Sequence, residues 1–103
     1  MGVRESRSGR PIMALLDLLG RRWALRILWE THREGPLGFA ELQARCAEIS
    51  PSVLSQRLKE LVAAGLLVPG DDGRYGPGRD GAELARLLLA LDSWARRWAR
   101  RAR

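Results

Sequence analysis

Four polar side chains at helical spacing offer this chain its most specific chemistry. In Ser50-Pro51-Ser52-Val53-Leu54-Ser55-Gln56-Arg57-Leu58-Lys59-Glu60-Leu61, the leucines at 54, 58 and 61 recur at i, i+4 and i+7 and form an apolar stripe. At about 100° per residue, Ser52, Gln56 and Lys59 fall on the opposite side, with Ser55 beside them. Hydroxyl, carboxamide and ammonium groups on one face of a helix are the groups that bond base edges and phosphates in a major groove. Gln56 matches the donor and acceptor of adenine, and Lys59 suits a guanine or a phosphate. Arg57 lies at the flank of the buried stripe and either braces the helix or touches a phosphate. Ser50 suits the N-cap and Pro51 the first helical position.

Nothing in the chain points to catalysis. His32 has no second ligand at metal spacing and reads as an exposed or capping residue near a helix end. There is no Gly-rich phosphate loop between strand and helix, and no paired carboxylate in an apolar setting, so no enzymatic activity, metal or cofactor is expected. Cys46 is the single cysteine, which rules out an intramolecular disulfide and fits a reducing compartment. Arg45 beside it favours the thiolate somewhat, but a buried filler is the preferred reading over a redox sensor.

A length of 103 residues suits one domain. The net charge of +6 and pI near 11.2 favour polyanionic partners, nucleic acid first and an acidic membrane surface second. The N-terminal charges are not followed by an apolar run, so no secretion signal is expected. No apolar stretch approaches about 20 residues, so no membrane span is expected either. The expected location is cytoplasmic.

Around the 50–61 segment the chain must build a frame. Residues 1–9 read as a flexible arm and 10–103 as the folded domain. A helix should begin near Pro11 with Ile12, Leu15, Leu16 and Leu19, and stop at Gly20. A second is expected from about Arg21, with Trp23, Ile27 and Leu28 inward and Leu25 and Trp29 flanking, until Glu34-Gly35-Pro36 breaks it. A short helix from Phe39 to about Ala47, anchored by Phe39 and Leu42, then precedes the Ser50 helix. Two short helices joined by a tight turn are a helix-turn-helix. Gly65 suits a left-handed helix cap.

Leu66-Leu67-Val68 and Arg74-Tyr75 flank an Asp-Gly turn, a hairpin signal. The second strand should reach no further than Tyr75, because Gly76-Pro77-Gly78 follows. Such a hairpin after a recognition helix is a wing, and Arg74 near its tip is a candidate phosphate or minor-groove contact, opposed by Asp71 and Asp72.

A last helix is expected with Asp80 as N-cap and Glu83 three residues on. Its Leu84, Leu88, Leu91, Ala95 and Trp98 repeat at 4, 3, 4, 3, widened by Leu87 and Trp94, as in a coiled-coil seam. With Ile12 and Leu16 this seam exceeds what a lone core needs and suggests a homodimer. The fold class is thus mainly α with a small β-hairpin: a winged helix-turn-helix, a three-helix core plus wing, with a C-terminal dimerisation helix. The terminal arginines suit the helix dipole and add phosphate attraction.

From about Arg10 to Trp98 the sequence resembles the HxlR-type winged helix-turn-helix transcriptional regulators. The matching stretches are Pro11-Ile12 with Leu15-Leu16-Asp17-Leu18-Leu19-Gly20, then Trp23 to Leu28, Phe39-Ala40-Glu41-Leu42, Ile49 to Leu61, Ala64-Gly65-Leu66-Leu67, and Tyr75 six residues before Gly81. The Ile-Ser-Pro-x-x-Leu-Ser-x-Arg-Leu-x-x-Leu string is the specific part. The resemblance implies a homodimer on a roughly palindromic double-stranded operator, with residues 50–64 as recognition helix in the major groove. Arg10 stands where many oxidant-sensing members carry a cysteine, which speaks against the usual thiol switch. Two other readings remain open. One is a winged-helix protein-interaction module. The other is a sensor of a thiol reagent or of an unknown small-molecule effector, with DNA release as output and a pocket between the helices near Trp23, Trp29 and Trp94, at the dimer seam.

Overall fold

The computed structural model describes residues 9–102; of the expected N-terminal arm, residues 1–8 lie outside the described residues, as does Arg103. Five helices and a two-stranded antiparallel hairpin follow in the order α1 (Pro11–Leu19), α2 (Ala24–Glu34), α3 (Phe39–Arg45), α4 (Pro51–Ala63), β1 (Leu67–Pro69), β2 (Tyr75–Pro77) and α5 (Arg79–Arg101). The expected winged arrangement is present. Ile27, Leu42, Leu54, Leu61 and Leu67, one or more from each central element, are fully buried together with Thr31 and Cys46.

α2 begins three residues later than the apolar periodicity suggests. Trp23, its N-cap, takes a left-handed conformation with φ of 78°, so the helical ladder cannot run back to Arg21. α3 starts where the Gly38 amide donates to Glu41 Oε1 at 3.0 Å. Phe39 is not the core anchor expected of it; it is partly exposed, and Leu37 just ahead takes the core position beside Leu42.

α4 forms as its residues dictate. Ser50 Oγ accepts from the Val53 amide at 3.2 Å, and Leu54, Leu58 and Leu61 are buried. Its end is a Schellman motif: Leu66 N–H reaches Leu61 O, Gly65 N–H reaches Val62 O, and Gly65 has φ of 77°.

The wing departs from expectation, because β2 runs through Gly76 and Pro77. The register is Leu67 opposite Pro77, Val68 opposite Gly76 and Pro69 opposite Tyr75. Tyr75 exchanges both backbone bonds with Leu37 on its other side, at 2.9 and 2.8 Å. Alternate residues of a strand point their amides to opposite neighbours, so Pro69 and Pro77 fall at positions that owe the β1–β2 ladder no donor. The two prolines therefore leave the hairpin intact.

α5 starts at Arg79 with Gly78 as N-cap, correcting the expectation of Asp80. Asp80 instead occupies the first turn, where a carboxylate opposes the positive helix end. Gly81 lies against the Leu66 carbonyl, close enough that a β-carbon would collide with it. Beyond this approach, Ala85 is buried and the inner face of α5 follows α2.

Candidate nucleic-acid interface

Burial of the leucine stripe leaves Ser52, Gln56 and Lys59 exposed on the outer face of α4. Ser55 is half-buried and turns into a groove shared with Phe39, Lys59, Val62 and Tyr75, between α4 and the wing. Ser50, given to both capping and DNA contact at the sequence level, keeps its hydroxyl on the cap and 3.4 Å from the Ser52 hydroxyl.

Arg57 behaves as a brace. Its Nε–H donates to the Arg22 carbonyl at 2.9 Å, and a second N–H to Glu60 Oε1 at 3.1 Å. Of the two roles open to it from the sequence, this geometry supports the first. Glu60 also receives Arg21 at 2.8 Å and the Gln56 side-chain amide at 3.3 Å. One carboxylate thus joins the α1–α2 turn to two residues of the recognition helix. The i, i+4 and i, i+3 spacings to Gln56 and Arg57 were readable in the sequence; the approach of Arg21, 39 residues away, was not.

Arg74 is exposed on the wing and lies 3.8 Å from Glu41 of α3. An exposed pair at that distance contributes little, so the guanidinium can exchange it for a phosphate. Asp72, expected to oppose DNA, accepts from the Arg74 amide at 3.0 Å and so shapes the turn.

Sequence reasoning missed a second cluster behind this face. Glu30 is buried on α2, with Arg26 Nε at 2.9 Å and an Arg45 N–H at 3.3 Å. Arg26 also donates to the Arg45 carbonyl at 3.1 Å, tying α2 to the end of α3. Cys46 lies beside this cluster, buried. Desolvation pushes its thiol pKa up; Arg26 opposes the shift and Glu30 adds to it. His32 is half-buried in the last turn of α2. Among the described residues no group of metal-ligating side chains forms.

On another side, α1 and α5 present apolar side chains with nothing over them. Ile12, Leu16, Leu87, Leu91, Trp94 and Trp98 are all exposed, Leu87 to 64% and Leu91 to 57%. Trp94 and Trp98 stack with ring centroids 6.0 Å apart. Leu84 and Leu88, expected in the same seam, are half-buried within the subunit, Leu84 against its own core and Leu88 in a hollow with Leu25, Trp29 and Leu91. Within one subunit, Trp23 lines a hollow by Arg21 and Arg22, and Trp29 lines another with Leu25, Leu88 and Leu91.

The HxlR-like helix-turn-helix family model matches residues 18–103. The chain belongs to this family. It is similar to the HTH-type transcriptional regulator YvaP of Bacillus subtilis, 33% identical over 89 residues, which is 81% of this chain and 82% of YvaP. YdzF, a further HTH-type regulator of that organism, is 37% identical over 57 residues, 55% of this chain and 52% of YdzF. Quinone-bound YodB from B. subtilis superposes with a TM-score of 0.77 at 27% identity, covering 84% of this chain and 94% of YodB. The reduced form of YodB gives 0.69 at 27% identity, over 82% and 87%. Membership in the HxlR-like family makes the chain a DNA-binding helix-turn-helix regulator of transcription, a class without enzymatic activity. As an HxlR-like protein it has, among the described residues, no helix long and apolar enough to cross a membrane.

Proposed function

We propose that the protein binds a roughly palindromic operator as a homodimer, inserting one α4 into each of two successive major grooves. The observation that carries this reading is the open Ser52–Gln56–Lys59 face, backed by a fully buried leucine stripe that fixes its direction. Ser55 approaches the same groove from the wing side, and Ser50 and Arg74 adjoin the backbone. Two-fold pairing draws on the uncovered apolar residues of α1 and α5, which a second copy would bury.

Selection from a randomised duplex pool tests base reading. The wild type should enrich a two-fold related sequence with half-sites about one helical turn apart. Gln56→Ala should then cost about 1–3 kcal/mol on that site and relax one position in each half-site. Equal losses on the selected site and on random duplex would count against base reading. A shallow salt dependence of duplex binding would favour the protein-interaction reading instead.

An effector-responsive form of the same regulator has one observation in its favour. Between α1 and the start of α5 lies an open hollow of about 300 Å3, lined mostly by apolar side chains, Ala14, Leu15, Leu18, Leu66 and Leu84 among them, and by the carboxylates of Asp80 and Glu83. YodB, similar in fold, has been solved with quinone bound. The buried Cys46 thiol does not support a thiol-triggered version. Release of the selected duplex by small apolar compounds, lost on Leu18→Trp, would support a cavity-based effector.

A further inference from the structure

We infer that Glu60 is the positioning residue for base recognition: it holds the Gln56 carboxamide in the orientation an adenine requires. This rests on the base-reading role proposed above for Gln56.

A carboxylate only accepts, so it takes the Gln56 amide by its NH2 group, at 3.3 Å from Nε2. That leaves the carbonyl oxygen and the second N–H of this exposed side chain for another partner. Those two groups are what pairs with the N6 donor and N7 acceptor of adenine in the major groove. A glutamine free on a helix surface samples many rotamers and presents either end of its amide; ordering it on binding costs affinity.

Glu60 can act as a fixed holder because it is itself held. Arg21 lies 2.8 Å from Oε2 and Arg57 3.1 Å from Oε1, and the Glu60 side chain is only 16% exposed. Arg57 in turn is anchored on the Arg22 carbonyl, and the Arg22 guanidinium lies 5.3 Å from the Trp23 ring. The α1–α2 turn therefore sets the Glu60 carboxylate, and the carboxylate sets the amide.

The test needs no variant at its first step. Gln43 and Gln56 are the chain's only side-chain carboxamides, since the sequence contains no asparagine. Their two NH2 pairs are separately visible by 15N NMR of the free, full-length protein. Relaxation should show the Gln56 amide markedly more ordered than that of Gln43; equal mobility would overturn the inference.

The second step measures discrimination on the selected duplex. Glu60→Met keeps the side-chain length but removes the acceptor, and should lose about ten-fold preference at the base pair that Gln56→Ala affects. Glu60→Gln keeps an acceptor oxygen and should retain most of that preference. The Glu60→Met, Gln56→Ala double variant should lose no more at that base pair than Gln56→Ala alone. A uniform loss at all positions, or additive losses in the double variant, would reduce Glu60 to a structural brace. If the wild type selects no sequence at all, base reading itself fails, whereas the NMR comparison still decides whether Glu60 orders the amide.

Discussion

At Gly81 a single methyl group would meet the main chain of another element. The first turn of α5 passes so close to Leu66 that a β-carbon would overlap its carbonyl oxygen, and neither backbone can yield as a flexible side chain would. Gly81→Ala should lower the denaturant midpoint by an amount worth about 2–3 kcal/mol, without a change in helix content at low denaturant. Cys46 makes a different prediction, about pH. Its burial holds the folded thiol above the ordinary value of 9.0 at which the unfolded chain releases the proton. Its contribution is therefore complete below that value and is lost as pH rises through the folded pKa. Stability measured between pH 8 and pH 11 should fall less steeply for Cys46→Val than for the wild type, and the native thiol should react slowly with alkylating reagents at neutral pH.

Elements differ in how openly the sequence announces them. α4 was legible in full, because a serine cap, a proline at the first position, three leucines at helical spacing and a terminal glycine all agree on the same helix. The start of α2 was not, because only the folded chain shows Trp23 in a left-handed conformation that a bulky residue rarely adopts. Proline after glycine is a sound local reason to end β2 at Tyr75, but a tertiary contact overrides it: the Leu37 bridge settles which way each amide points. The candidate site shows the same division. Ser52, Gln56 and Lys59 follow from periodicity alone, whereas the bracing role of Arg57 depends on a carbonyl in a distant turn. The wing contributes one prediction at this scale. Arg74→Ala should weaken binding to the selected site and to random duplex alike and reduce the slope of log K against log salt by about one, as titrations at several salt concentrations would show.

For the whole molecule, charge and apolar surface divide the labour. A net charge of +6 draws the protein to any duplex, and two-fold pairing would convert that attraction into a preference for paired half-sites. Leu91 is 57% exposed, at the rim of the hollow with Leu25, Trp29 and Leu88 and outside the buried core, so Leu91→Glu should change the melting of a protomer little while sedimentation shows a single subunit. Affinity for a two-half-site duplex should drop by at least about 100-fold, and that for a single half-site should barely move. The bridge between Leu37 and Tyr75 bears on how such a site tolerates insertions. The hairpin is hydrogen-bonded on one edge to its own first strand and on the other to the residue leading into α3, so it is stitched to the frame that carries α4. In the proposed complex the phosphate contact of the wing and the major-groove face of α4 would be fastened together without slack. One extra base pair between their two targets displaces the second by about 3.4 Å along the axis, and the duplex, rather than the polypeptide, would have to deform to restore both contacts.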